Sequence, residues 1–160
     1  GSRKWSFFLC IRLFKSGLIM SFPITSKEIL LQCIPQRDPI VMVDQLIQYS
    51  ENQLIAGHLV KKDRLFTTNL LTEPGLIEHM AQSVALHTGY SYFIKQENAP
   101  IGYIGSISQL VINRLPEIDE NITTYVQIIQ EFGGITLVDI VSKVEEEIIA
   151  SGQMKTVIAK

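Results

Sequence analysis

Hydrophobic and polar positions divide the chain into a short helix, a hairpin, one long helix and a run of strands. "TSKEILLQCI" sets Ile29, Leu30 and Cys33 at helical spacing behind a capping Thr25 or Ser26, and Pro35 ends the helix. "PQRDPIVMVDQLIQYSENQLIAGHLV" turns at Asp38-Pro39, runs as a strand from Ile40, breaks at Ser50-Glu51-Asn52-Gln53 and returns through Val60. Residues 61–72 are polar and irregular, anchored by Phe66 and Leu70. "TEPGLIEHMAQSVALHTGY" then places Leu76, Ile77, Met80, Ala81, Val84 and Ala85 on a helix, with Thr72 as cap, Glu73 at the positive end and Pro74 in the first turn. On this wheel Ile77, Ala81, Val84 and Thr88 point into the partner layer.

"IGYIGSISQLVINRLP", "NITTYVQIIQEF", "ITLVDIVSKVE" and "EIIASGQMKTVIA" follow, rich in β-branched residues and separated by residues 116–121, Gly133-Gly134 and a Glu145-Glu146-Glu147 hairpin end. Four consecutive strands with short links form an antiparallel sheet, and its apolar face needs a second layer. The prediction is an α+β domain in which a curved antiparallel sheet wraps the long central helix.

Composition narrows the function. With 160 residues, 46% hydrophobic and a formal net charge of -2, the chain fits one globular domain and has no global basic field for nucleic acid. Cys10 and Cys33 make neither a CxxC pair nor a zinc cluster, which points to a reducing cytoplasm. Gly1-Ser2 resembles a cloning scar, and residues 1–19 read as an extension ahead of a domain spanning 20–160. Arg12 and Lys15 interrupt its apolar run, which is too short and too charged to span a bilayer. If this arm folds, Trp5, Phe7, Phe8 and Phe14 cover a surface of the same protein or of a partner.

The helix carries one unexpected residue. Glu78 lies beside its apolar face, on a stripe with Gln82, Ala85 and Gly89, and a carboxylate there must be paired, wetted or protonated. Two readings stand: a boundary residue, salt-bridged or exposed, or an acid or base lining a tunnel, oriented by Gln82. His79 and His87 flank Ser83 on another stripe; they are not the i, i+4 pair of a helical zinc site, and a mid-helix Ser83 lacks the strained turn of a nucleophile. No metal or cofactor is expected. His58 falls in a strand, where a structural role is the default. Lys61, Lys62 and Arg64, together with Arg37, form the place where an acidic carrier would dock.

These segments carry a resemblance. "IPQRDPIVMVDQL" resembles the LPHR-x-P-x-x-x-x-D entry segment of the hot-dog 3-hydroxyacyl-acyl carrier protein dehydratases, and "IEHMAQSVALHTG" resembles their helix with its E-x-x-A-Q core. The similarity runs from Pro23 to Lys160 and is nearest to the small dehydratase-like branch of aryl-polyene pigment clusters. It implies a hot-dog fold and elimination of water from carrier-bound 3-hydroxyacyl thioesters. Glu78 matches the acid at the β-hydroxyl and Gln82 its support; Gly75 and Leu76 match the N–H groups that receive the thioester oxygen, with Ala85 along the acyl path. The implied partners are acyl carrier protein and a second hot-dog subunit, identical or related, with the tunnel at their interface.

One departure matters. Family members carry a catalytic histidine in a Gly-His-Phe-Pro-Gly loop, whereas "KKDRLFTTNLLTEPG" has none. His58, His79 and Asp63 are the replacements available. The missing histidine also keeps open an acyl-thioester hydrolase, which needs only the helix carboxylate, and a non-catalytic acyl-binding subunit.

Overall fold

The structure is a computed structural model that describes residues 12–13 and 19–159, with side chains from Ser21 onward. The proposed role of Trp5, Phe7, Phe8 and Phe14 lies outside the described residues. A two-residue ladder, β1 (Arg12–Leu13) with β2 (Ile19–Met20), precedes helix α1 (Lys27–Cys33). Then come β3 (Gln45–Tyr49), β4 (Gln53–Leu59), the long helix α2 (Glu73–Lys95), β5 (Gly102–Ile112), β6 (Asn121–Phe132), β7 (Ile135–Val144) and β8 (Glu147–Ile158). Six of these strands form one antiparallel sheet in the order β3-β4-β6-β7-β8-β5. β-Bulges interrupt four of its five ladders, and each one bends its strand.

The elements follow local chemistry. Ser26 caps α1, accepting from the Ile29 N–H at 3.4 Å. Thr72 does not cap α2 with its side chain, because its hydroxyl donates to the Phe66 carbonyl at 2.8 Å and closes the preceding loop instead. Gln96 ends α2 in the left-handed region, its N–H returning to Phe93 O at 3.0 Å.

The first hairpin strand begins at Gln45 rather than at Ile40. Residues 41–44 have no regular secondary structure: Ile40 and Met42 bond side chains of α2 and the Asp44 N–H reaches Gly57 O of β4, so the segment bridges helix and sheet ahead of the ladder.

The core lies between α2 and the inner face of the sheet, where Ile122, Val126, Val138, Ile140 and Met154 are buried. The face of α2 differs from the predicted one. Leu76, His79, Met80, Ser83, Val84, Leu86 and Tyr90 are buried, whereas Ile77, Ala81, Ala85 and Thr88 are half-buried. The helix is enclosed by the sheet on one side and by α1 and residues 40–44 on another, so no single apolar stripe records its orientation. Gly89 marks the crossing with α1: a Cβ there would lie 1.6 Å from the Cys33 carbonyl oxygen. Cys33 itself is a free thiol that burial pushes up to about 12.

Candidate active site

Gln82 is the hub of the site. It is fully buried, and its Oε1 accepts from the Met42 N–H at 2.7 Å while Nε2 donates to Ile40 O and to Glu78 Oε1, both at 2.8 Å. The amide cannot flip, because a backbone N–H only donates and a carbonyl only accepts. Helical i, i+4 spacing brings Glu78 and Gln82 together, and the 40–42 segment holds the pair from the other side. Glu78 is half-buried, on the flank of α2 shared with Ile77, Ala81 and Ala85.

His79 points the other way. Its Nδ1 lies 2.6 Å from Met42 O, and its Nε2 lies 2.7 Å from Thr124 Oγ1, which in turn meets Ser142 Oγ at 2.7 Å. A carbonyl can only accept, so the proton sits on Nδ1 and Nε2 accepts from Thr124. Burial, then the neighbouring His58, lowers the imidazole to about 3, so His79 is neutral. Both ring nitrogens are engaged, and neither faces Glu78.

His58 stacks on His79 with ring centroids 5.6 Å apart, its side chain 12% exposed. Its Nδ1 lies 3.3 Å from Asp44 Oδ2, close enough for an ion pair but out of line for a hydrogen bond. Burial alone would raise the Asp44 carboxyl; His58, the Leu59 N–H at 2.5 Å and Lys61 outweigh it and hold it below the usual carboxylate value. Both side chains line a cavity of about 390 Å³, floored by Leu30, Met42 and Val43 and rimmed by Lys61 and Arg64. Glu78 is not among its lining residues. Among the described contacts, no hydrogen bond or ion pair joins His58 to Glu78.

The remaining positions are dispersed. His87 Nε2 bonds Ser50 O at 3.0 Å. Asp63 is exposed in a turn with φ 59°. Lys62 is exposed, and Arg37 holds the carbonyls of Ile34 and Gln36 at 2.8 and 2.7 Å. Leu76 is fully buried and its N–H donates to Thr72 O at 3.0 Å, whereas Gly75 sits in the first turn, ahead of the helical ladder. Gly75 is also a packing glycine, since a Cβ would lie 2.5 Å from Leu71 Cδ1 and 2.8 Å from Phe66 Cβ.

Thr124 and Ser142 carry no signal in the sequence analysis, and Asp44 enters there only as the closing Asp of the entry segment. Asp44 carries the signal that singled out Glu78, a carboxylate in an apolar run; Thr124 is a hydroxyl at an inward position between Ile122 and Val126.

Known proteins share the sequence pattern and the fold. 3-Hydroxyacyl-[acyl-carrier-protein] dehydratase FabZ of Vibrio cholerae is 26% identical over 129 residues, covering 76% of this chain and 84% of that protein. The dehydratase heterocomplex ApeI:P from Xenorhabdus doucetiae superposes with a TM-score of 0.72 at 15% identity, over 82% of this chain and 91% of that one. A homologue of HP0420 from Helicobacter felis gives 0.62 at 13% identity, over 82% and 87%. These two structures share the hot-dog fold. The family model for the ApeP dehydratase matches residues 29–158, which include most of α1, the Gln82 hub and the whole six-stranded sheet. The chain therefore belongs to the ApeP-like dehydratase family.

Proposed function

We propose that this dehydratase removes water from 3-hydroxyacyl thioesters held on acyl carrier protein, and that Glu78 exchanges the proton at the β-hydroxyl. The observation that carries the reading is the built setting of Glu78: a half-buried carboxylate on an open flank of α2, held through one oxygen by a buried amide that has no other freedom. In the reaction a base takes the α-proton, the electron pair forms the C=C bond, and the β C–O bond breaks as Glu78 protonates the departing oxygen. The thioester oxygen gathers charge meanwhile, and the Gly75 N–H at the positive end of α2 is the donor that meets it.

The α-proton base comes from a second hot-dog subunit. His79 has both nitrogens engaged, His87 is bonded to Ser50 and His58 lies in the cavity wall, so no histidine of this chain serves Glu78. The edge strand β5 supports such pairing: among the described strands it bonds only β8, and Tyr103, Ile104, Ile107 and Val111 are 61%, 40%, 39% and 52% exposed. An open apolar edge of that length is a template for another strand. An identical subunit would bring the same histidine-free loop, which favours a related, histidine-bearing partner. Lys61, Lys62 and Arg64 receive the acidic carrier, and a soluble carrier together with the free Cys33 thiol fits a cytoplasmic setting.

The test is turnover of 3-hydroxyacyl and saturated acyl carrier protein thioesters, by this chain alone and mixed with a histidine-bearing hot-dog dehydratase. Enoyl product formed by the mixture and abolished by Glu78→Gln is expected. Free thiol from the saturated substrate would identify a hydrolase instead, and saturable binding without turnover an acyl-binding subunit.

A further inference from the structure

The polar chain behind α2 has more order than packing requires. Ser142 on β7, Thr124 on β6 and His79 on α2 are all fully buried, and every link runs at hydrogen-bond distance: Ser142 Oγ to Thr124 Oγ1 at 2.7 Å, Thr124 Oγ1 to His79 Nε2 at 2.7 Å, His79 Nδ1 to Met42 O at 2.6 Å. The direction of the protons is fixed from one end. Met42 O can only accept, so Nδ1 carries the proton, Nε2 accepts from the Thr124 hydroxyl, and the Thr124 oxygen is left to accept from Ser142. The same Met42 residue offers its N–H to Gln82 Oε1 at 2.7 Å, which turns the Gln82 amide so that Nε2 donates to Glu78 Oε1 at 2.8 Å.

We propose that Ser142, Thr124 and His79 are positioning residues for the dehydration: by anchoring Met42 they hold Gln82, which commits Glu78 Oε1 as an acceptor and leaves Oε2 as the oxygen that gives and regains the proton. This rests on the reading of Glu78 as the acid. In that step the second subunit's base takes the α-proton, the C–H electron pair forms the C=C bond, the Oε2–H proton passes to the β-hydroxyl as the C–O bond breaks and water leaves, and the carboxylate charge formed is shared with Oε1, against the Gln82 N–H. A supporting group that drifts costs rate, because a misplacement of about 1 Å at a reacting centre costs up to about 10²-fold.

Thr124→Val keeps the shape and removes the donor to His79; Thr124→Ser restores it. With the complete enzyme, Thr124→Val is expected to lower kcat about tenfold with KM little changed, and Thr124→Ser to recover most of that loss. Two magnetic-resonance readouts stand apart from turnover: the His79 ring nitrogens, with Nδ1 proton-bearing, and the Gln82 side-chain amide protons, held in the parent and Thr124→Ser but exchanging faster in Thr124→Val. A proton on Nε2, or Gln82 amide protons indifferent to Thr124→Val, would overturn the relay. So would a Thr124→Val enzyme that melts earlier yet turns over at the parental kcat. If the parent itself eliminates no water, the assignment of Glu78 falls, and the Gln82 amide signal still decides whether the relay exists.

Discussion

Glu78 and His79 are neighbours on one helix and meet opposite surroundings. On the His79 side every link of the chain ends on a partner, and His79, Ser83, Thr124 and Ser142 are fully buried. On the Glu78 side, Ile77, Ala81, Ala85 and Thr88 are half-buried, and the carboxylate is held through one oxygen by Gln82. The contrast teaches a division of labour along α2. One flank is polar, where the backbone of residues 40–42 bonds; the other is half-buried, the setting that the proposed role of Glu78 requires.

Removing each neighbour separates the two roles. Glu78→Gln is expected to cut the rate of water loss by about 10²–10⁴-fold while the melting temperature barely moves, since a half-exposed site tolerates the isostere. Steady-state turnover beside a thermal melt checks this, and a large loss of stability would erase the contrast. His79→Ala reverses the pattern. It opens a cavity and strips partners from Met42 O and the Thr124 hydroxyl, both buried, so about 3 kcal/mol or more of folding free energy should be lost in a denaturant titration.

How much of this was legible follows the physics of each residue. The strands of the sheet could be read because alternation and Gly-Gly or Glu-rich breaks are local signals, and β6 to β8 fall where the pattern put them. Glu78 and Gln82 were legible as an i, i+4 pair. The side of α2 that faces the sheet was not: a helix enclosed on two sides has no single apolar stripe, so Ile77, Ala81 and Thr88 read as core and prove half-buried. Gly89 was read as part of a tunnel stripe, whereas α1 closes over it at Cys33, a contact between residues 56 positions apart that no local pattern encodes. The bonds from Met42 to Gln82 and His79 were invisible for the same reason, and they are why the predicted strand from Ile40 starts late.

Acid sharpens the comparison, because the closed flank titrates out of its normal range. An unfolded chain protonates His79 below about pH 6.5, whereas in the folded protein burial and His58 keep it neutral until about 3. Between those values the unfolded state binds more protons, so stability rises with pH through this window and is unaffected by this group above it. The slope should approach about 1.4 kcal/mol per pH unit for one such group. His87, also lowered by burial, adds in the same direction. Denaturant titrations from neutral pH downwards should give a steep loss in the parent and a shallower one in His79→Asn, which cannot titrate. Equal slopes would mean that the imidazole is hydrated in the folded state and the flank is not closed.

The open flank makes the smallest prediction and the one most specific to substrate. Ala85 lies seven residues, about two turns, beyond Glu78 and is half-buried on the same side, at the margin of the core, so a leucine there adds volume where the helix meets its surface. Folding stability should stay within about 0.5 kcal/mol of the parent. If this surface guides the acyl chain, the added volume should lower kcat/KM for long chains by a factor of about three to ten relative to short ones, because the two differ only in the methylenes that must pass Ala85. An equal loss at every length, accompanied by a smaller particle in size-exclusion chromatography, would assign the flank to contact with the second subunit. No change in either measurement would exclude Ala85 from both the acyl path and the subunit contact.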